Sequence, residues 1–231
     1  MSARLTPILT AIAVLILSPG PALAAVCQPP GPVVFDLFND DTKVGAITAD
    51  LERDGAETVS VLRIDVDVAF LGATVYRYRH HSRERWRDGR FQAFEGRTDD
   101  NGRRRAVRIT PQGERYRLIR NEESSEVEAL LLSHLMWCPS LLADRPMLST
   151  LNGKTREARI ETLGTRRIET SAGVRQARGY RVTQKGKSGE VWYDSGDLLI
   201  AAAWPTVIGT TAHIRRRLPP AAAVKSLTHR R

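Results

Sequence analysis

Between residues 76 and 87, side chains that could bind or transform a ligand alternate with arginines. In an extended strand alternate residues point to the same face, so one face would present an acid, an imidazole base and three aromatic rings. The candidate ligand-binding residues on this face are Tyr76, Tyr78, His80, Glu84 and Trp86. His80 and Glu84 lie roughly 13 Å apart along such a strand, which excludes a direct catalytic pair within it.

Aromatic walls with a few polar groups are typical of ligand cavities in small barrels, and we predict such a cavity on this face. The alternative interpretation is structural. In that case the tyrosines and Trp86 pack in the core, and Glu84 pairs with an arginine on a neighbouring strand.

The opposite face of the same segment is an arginine stripe. It comprises Arg77, Arg79, Arg83, Arg85 and Arg87. Such a stripe can bind anionic lipid head groups or polyanionic envelope polymers. Alternatively it is a solvated face whose arginines pair with acids of the preceding strand, for which Asp65 and Asp67 are candidates.

A second aromatic segment, Trp192-Tyr193-Asp194, stands just before a turn at residues 195–197. Trp192 and Asp194 are therefore further candidates for the ligand cavity. The alternative is that Trp192 packs within a strand and that Asp194 accepts backbone hydrogen bonds in an Asx turn.

Metal and nucleophile motifs are absent from the sequence. None of the five histidines has a zinc-type spacing to cysteine or glutamate, and there is no G-x-S-x-G, phosphate-binding glycine loop or C-x-x-C motif. We expect no metal and no cofactor, and the sequence assigns no catalytic residue. An enzyme whose residues meet only in the folded chain remains an alternative, with His80, Glu84, His134 or Asp194 as its residues.

The formal net charge of +9 lies mostly at the C-terminus. Six of these positive charges fall between Arg215 and Arg231, and one more is Arg4, which leaves +2 for the rest of the chain. Nucleic-acid binding needs a basic surface on the folded body, so we expect no nucleic-acid partner.

The N-terminus has the order of a secretory signal peptide: Arg4, an apolar run over residues 8–17, then small residues up to Ala24. We predict a signal peptide over residues 1–24, export to the periplasm, and no transmembrane segment in the mature chain. An uncleaved anchor is the alternative, although the run is shorter than the roughly 20 apolar residues that span a bilayer.

The two cysteines bear on the same compartment. Val26 precedes Cys27, where a lipidation motif needs a small residue, so we expect no lipid anchor. An oxidising compartment favours a disulfide, which we predict between Cys27 and Cys138. Two free thiols are the alternative.

Period-two hydrophobicity dominates the remaining chain and predicts strands. Its clearest case alternates Leu62, Ile64 and Val66 with charged residues. Turn residues divide the chain into strands near 33–38, 43–53, 57–70, 74–87, 90–99, 103–110, 114–120, 155–163, 165–171, 174–184, 189–194, 197–203 and 206–217. Sequential hairpins make the sheet antiparallel, and such long strands suit a curved sheet or open barrel, lipoprotein-carrier-like or lipocalin-like.

One short helix is predicted to interrupt the strands. Ser125 to Glu128 resembles a capping box, and Leu130, Leu131, His134 and Leu135 follow at helical spacing. A buried strand over residues 129–132 is the alternative. We expect a single β-rich domain over residues 25–217 and a disordered basic tail over 218–231.

Several segments in order resemble the secreted, mostly proteobacterial family of domains of unknown function DUF6134. The segments are Val44-Gly45, residues 75–80, 84–90 and 98–102, Gly179-Tyr180, and Trp192-Tyr193-Asp194. The family has no assigned activity, so the resemblance implies an exported β-rich protein and no substrate.

The sequence therefore favours a non-enzymatic periplasmic protein. We predict that it binds an apolar or amphipathic envelope molecule, such as a lipid, in the concave face of its sheet. The alternative is an interaction or structural protein that docks on a partner or an anionic envelope surface through the arginine stripe.

Overall fold

The computed structural model describes residues 32–88, 90–113, 115–128, 131–132, 139, 142, 144, 146–206 and 209–218. The predicted signal peptide, Cys27, Cys138, His134 and residues 219–231 of the predicted tail lie outside the described residues.

The described chain is built from strands. They are β1 (Val33–Asn39), β2 (Thr42–Asp54), β3 (Glu57–Phe70), β4 (Ala73–Arg87), β5 (Arg90–Asp100), β6 (Arg103–Gln112), β7 (Arg115–Arg120), β8 (Glu123–Glu128), β9 (Leu131–Leu132), β10 (Pro146–Leu148), β11 (Thr155–Glu157), β12 (Arg159–Thr170), β13 (Gly173–Gln184), β14 (Lys187–Tyr193), β15 (Leu199–Pro205) and β16 (Thr211–Arg216).

Thirteen of the described strands form one antiparallel sheet, in the order β12-β13-β14-β15-β16-β1-β2-β3-β4-β5-β6-β7-β8. The last described strand, β16, pairs with the first described strand, β1, so two hairpin runs join at the β1–β16 seam. The sheet is not closed, because β12 and β8 remain its two edges. The predicted antiparallel fold is confirmed.

Alternating polarity explains how these strands face. In β3, Leu62, Ile64 and Val66 are buried, whereas Arg63 and Asp65 between them are exposed. Burying one face of a strand fixes its register, because a shift by one residue would bring the charges inward. We call the side of Leu62 the inner face and the side of Arg63 the outer face.

The predicted helix is wrong where the chain is described. Residues 123–128 form β8, which pairs along its whole length with β7, and Leu131–Leu132 form β9. Pairing to β7 supplies backbone hydrogen bonds over six residues, whereas the capping box offers only local ones. The strand that the sequence left as an alternative is the one observed at Leu131–Leu132.

Two further details depart from the predicted elements. The chain does not break at Gly164: β12 continues through it, with a register shift between Thr162 and Gly164 against β13. The short strand β10 was not predicted, and it forms a small separate sheet with β9 and β11.

The inner face holds two apolar cores. The first includes Phe35, Leu62 and Val191 from β1–β3 and β13–β16, and the second includes Phe94 and Ile109 from β5–β7. Residues 146–154, which we call the crossing segment, connect them. Its Met147 packs in the first core and its Leu148 in the second.

Candidate functional site

Strand β4 lies between the two cores and presents a row of polar and aromatic side chains on the inner face. His80 stands opposite Ile64 of β3, and Glu84 stands opposite Ser60. The same alternation brings all five predicted residues of this strand, Tyr76, Tyr78, His80, Glu84 and Trp86, to one face. We call them the inner row.

His80 is linked to the crossing segment through a hydrogen bond with Thr98. Its Nδ1 lies 2.8 Å from Oγ1 of Thr98, and that hydroxyl donates to the carbonyl of Leu151 at 3.0 Å. A hydroxyl has one proton to donate, so the Nδ1–H of His80 is the donor in the first bond. Burial lowers the pKa of His80 to about 4, which keeps the ring neutral.

Glu84 is buried in the middle of the row. Burial raises the pKa of its carboxyl to about 7, and the neighbouring Trp86 side chain lowers it in part. Its neighbours across the strands are Ser60 and Phe94. Neither is an arginine, so the cross-strand arginine that the sequence suggested as its partner does not stand opposite Glu84.

The two ends of the row differ. At one end the hydroxyl of Tyr76 donates to Oδ1 of Asp100 at 2.8 Å, and Arg105 donates to Oδ2 of the same carboxylate at 3.0 Å. At the other end the Trp86 ring packs edge-on against Phe91, with ring centroids 5.5 Å apart. Burial raises the pKa of Tyr78 between them to about 12.

Part of the inner row is covered. Thr150 is fully buried, and Leu151 both packs against the first core and accepts the bond from Thr98. The crossing segment therefore occupies the inner face beside His80. A ligand at this position would have to displace it.

Trp192 and Asp194 do not join the inner row. Trp192 packs with Ala177 and Ile200 in a third cluster, while its neighbours in β14 belong to the first core on the other face. The Arg166 guanidinium stacks 3.9 Å from the centre of its ring. Trp192 therefore lies on the opposite face of the sheet from Tyr78.

Asp194 has a local role in the turn after β14. Its Oδ1 accepts backbone N–H bonds from Gly196 at 2.9 Å and from Leu198 at 3.1 Å. This is the Asx-type arrangement that the sequence left open as an alternative to ligand binding.

The arginine stripe lies on the outer face, and three of its five arginines form ion pairs. Arg77 contacts Asp67 at 3.2 Å, and Arg79 contacts Asp65 at 3.3 Å. Arg87 contacts Glu57 at 3.3 Å. Arg83 and Arg85 are exposed and form no ion pair within the described part of the chain.

An outer groove of about 620 Å³ adjoins this stripe on β3–β6. Its charged outer-face residues are Arg63, Asp65, Arg79, Arg97, Asp99 and Arg104. Four arginines thus face two aspartates among the lining residues. Arg63 also pairs with Asp50, Arg79 with Asp67, and Arg104 with Asp99. Arg97 is exposed and forms no ion pair among the described residues. Sequence analysis missed Arg63, Arg97 and Arg104, because only the cross-strand register brings them beside Arg79.

The long antiparallel meander defines a β-barrel-like protein. A solved structure of this class, a β-barrel-like protein of the domain of unknown function DUF1849 from Brucella abortus, has a TM-score of 0.56 at 4% identity. The alignment covers 80% of this chain and 94% of that one. At such low identity the likeness shows the fold alone.

The chain belongs to the family Domain of unknown function (DUF6134), whose model matches residues 35–217. A structure described as "a putative lipoprotein from Parabacteroides distasonis" aligns over 82% of this chain and 94% of its own, at 8% identity and a TM-score of 0.31. No curated protein matches. Among the described residues, no helix is long and apolar enough to cross a membrane.

Proposed function

We propose that this protein is a non-enzymatic envelope protein that docks on an anionic surface through its outer face. The observation that carries the proposal is the outer groove, where four arginines face two aspartates. Guanidinium groups bind phosphate and carboxylate oxygens through paired hydrogen bonds, so the groove suits anionic groups repeated along a surface.

Unpaired arginines extend this surface beyond the groove. Arg83, Arg85 and Arg97 are exposed and form no ion pair among the described residues. Arginines without an acidic partner can bind an external anion without first breaking an internal ion pair.

The compartment fits such a partner. The predicted signal peptide over residues 1–24 would deliver the chain to the periplasm, where anionic lipids and polymers are abundant. We further propose a single domain over residues 25–217 and a Cys27–Cys138 disulfide. Mass spectrometry of the exported, non-reduced protein tests the disulfide, and two alkylatable thiols would disprove it.

A charge-reversal experiment tests the docking function. Arg63→Glu/Arg97→Glu removes two groove arginines, and Arg159→Glu/Lys187→Glu makes the same change in net charge at exposed positions elsewhere. We measure binding to soluble polyphosphate and to phosphatidylcholine vesicles with and without phosphatidylglycerol.

We expect the groove variant to bind these anionic probes more than about tenfold more weakly, since each arginine near an anionic surface contributes about 1 kcal/mol. Wild-type binding should also weaken steeply with salt. Equal binding by the groove and control variants would refute the proposal.

A second candidate is the predicted binding of an apolar or amphipathic molecule at the inner row. The specific observation in its favour is that Tyr78, Glu84 and Trp86 line up between two apolar cores. Native mass spectrometry of protein purified from its own periplasm, with lipid extraction, tests it. A stoichiometric adduct supports this function, and a clean unliganded mass removes it.

A further inference from the structure

The β3–β4 hairpin extends past the strand pairs that flank it. The last pair between β2 and β3 is Gly45 with Val66, and the last pair between β4 and β5 is Tyr78 with Asp100. Past these pairs, residues 67–77 form strand pairs only with one another. We call them the finger, which extends roughly 17 Å from Val66 to its turn at about 3.4 Å per residue.

The tip of the finger is apolar and exposed to solvent. Phe70 is 67% exposed, Leu71 92% and Val75 53%. No charged residue occurs from Val68 to Tyr76. Of the five large hydrophobic side chains that are exposed among the described residues, four belong to the finger. Such a cluster marks an interaction site rather than ordinary surface.

The backbone at the tip supports this interpretation. Leu71 has a φ of 49°, at a turn position that normally takes asparagine, aspartate or glycine. The equivalent position of the β5–β6 turn, at the same end of the sheet, is Asn101 with a φ of 51°. Leucine is disfavoured in this conformation, so its presence needs a reason outside the turn.

Arginines paired in part with aspartates surround the base of the finger. Arg77 and Arg79 lie on β4, and Arg103 and Arg104 follow the β5–β6 turn. A backbone hydrogen bond of 2.8 Å from Asn101 to Arg77 holds that turn against the finger. Arg79 and Arg104 also line the outer groove. An apolar tip is thus followed by a belt of exposed charged groups. Arg77 and Arg79 pair with Asp67, and Arg104 pairs with Asp99 at 3.7 Å. Arg103 forms no ion pair among the described residues.

A lipid bilayer with an anionic surface matches this order. Apolar side chains that enter the acyl boundary, with arginines at the level of the head groups, are the arrangement of interfacial membrane anchors. A protein partner would have to enclose the finger in a deep pocket, because a two-stranded tip is too narrow for the roughly 1,000 Å² of a flat interface.

We propose that the finger inserts Phe70, Leu71 and Val75 into an anionic bilayer while the neighbouring arginines bind lipid head groups. This inference rests on the proposed docking function and identifies the anionic surface as a membrane. The apolar contribution to membrane binding comes from the tip of the finger, and the electrostatic contribution comes from the arginines at its base. Both lie at the same end of the sheet.

The test uses the full exported chain and vesicles of phosphatidylcholine and phosphatidylglycerol. The finger variant Phe70→Ser/Leu71→Ser removes apolar surface without changing charge. Its control is Val174→Ser, which alters an apolar residue that is 51% exposed at a different hairpin. A Leu71→Trp variant reports insertion through its emission and through quenching by lipids brominated in the acyl chains.

We expect the finger variant to bind vesicles more than about tenfold more weakly than wild type and to bind soluble polyphosphate normally. The Leu71→Trp emission should shift to the blue on vesicles and be quenched by the brominated lipids. Wild-type vesicle binding by the finger variant, or an emission that stays water-like on bound protein, would overturn the inference.

The outcomes separate the two proposals. If polyphosphate binds through the groove arginines but vesicles do not bind, the docking function stands and the finger inference fails. If neither probe binds, the docking function fails. If a periplasmic protein binds wild type and not the finger variant, while vesicles do not bind, the finger is a protein-docking element and membrane insertion is wrong.

Discussion

At the scale of single residues, His80 and Glu84 are two buried groups whose pKa values move in opposite directions. Burial lowers the pKa of His80 to about 4 and raises the pKa of Glu84 to about 7. Lowering the pH therefore changes the stability of the fold in opposite directions through these two groups. The unfolded chain takes up a proton at His80 below pH 6.5, which weakens the fold, whereas the folded chain takes up a proton at Glu84 below pH 7, which stabilises it.

These two effects oppose each other between pH 7 and pH 5 in the wild type. Glu84→Gln removes the stabilising one, so we expect the free energy of unfolding of this variant to fall by about 2 kcal/mol over that interval. Urea unfolding at the two pH values measures it. Glu52→Gln, at an exposed glutamate, is the control and should follow the wild type. A variant with the same pH dependence of unfolding as the wild type would contradict the assigned shifts.

Thr98 is the link between His80 and the crossing segment. Thr98→Val keeps the shape of the side chain but leaves the Leu151 carbonyl without this donor. We expect a loss of about 1–3 kcal/mol in unfolding free energy, and faster amide hydrogen exchange in residues 146–154. Exposed Thr165 provides the control, Thr165→Val. Unchanged exchange in the crossing segment would show that the hydroxyl does not hold it.

At the scale of elements, the sequence predicts a strand wherever polarity alternates and a turn residue follows. β3 and β4 meet both conditions and were predicted within a residue or so of their observed bounds. The face of Trp192 could not be predicted in this way, because Val191, Trp192 and Tyr193 are all buried and show no alternation. Only the pairing of β14 with its neighbours decides which of them faces inward.

The helix predicted from Ser125 failed for a related reason. A capping-box pattern is local, whereas β8 is stabilised by its pairing with β7, which the local pattern does not report.

The outer groove could not be predicted for the same reason, because it depends on pairing between strands. Arg63, Arg97 and Arg104 belong to three different strands, and no spacing within one strand brings them together.

Gly179 in β13 makes room for Trp192 on the neighbouring strand. A Cβ at position 179 would lie 2.3 Å from the indole ring, so a methyl group there must displace it. We expect Gly179→Ala to lower the free energy of unfolding by about 1–3 kcal/mol. Gly196→Ala is the control, since its Cβ would meet nothing closer than 3.4 Å. Thermal denaturation compares the two, and equal stability would mean that Trp192 moves freely.

At the scale of the whole molecule, the β1–β16 seam joins the two hairpin runs into one sheet. The region that defines the family, residues 35–217, begins in β1 and ends just after β16, so it begins and ends at this seam. Asp36 of β1 accepts hydrogen bonds from Nε of Arg217 at 3.0 Å and from its Nη2 at 2.6 Å. Lys43 lies 2.6 Å from the same carboxylate.

These cations lower the pKa of Asp36 to about 2, and the hydrogen bond from Arg217 contributes most. A depressed carboxyl pKa stabilises the fold above the unfolded value of 3.8, and that stabilisation is lost as the pH falls to about 2. Because the pair is near solvent, we expect Asp36→Asn to cost about 1 kcal/mol at pH 7 and almost nothing at pH 2.

Denaturant unfolding at both pH values measures this cost, and Asp50→Asn, in the more exposed pair with Arg63 at 3.4 Å, is the control. Among the described strands, the β1–β16 pair is the only strand pair that joins β12–β16 to β1–β8. A weaker seam should therefore also broaden the unfolding transition, because the two runs would unfold less cooperatively. If an Asp36→Asn variant unfolds at pH 7 with the same midpoint denaturant concentration and the same sharpness as the wild type, backbone pairing alone holds the two runs together.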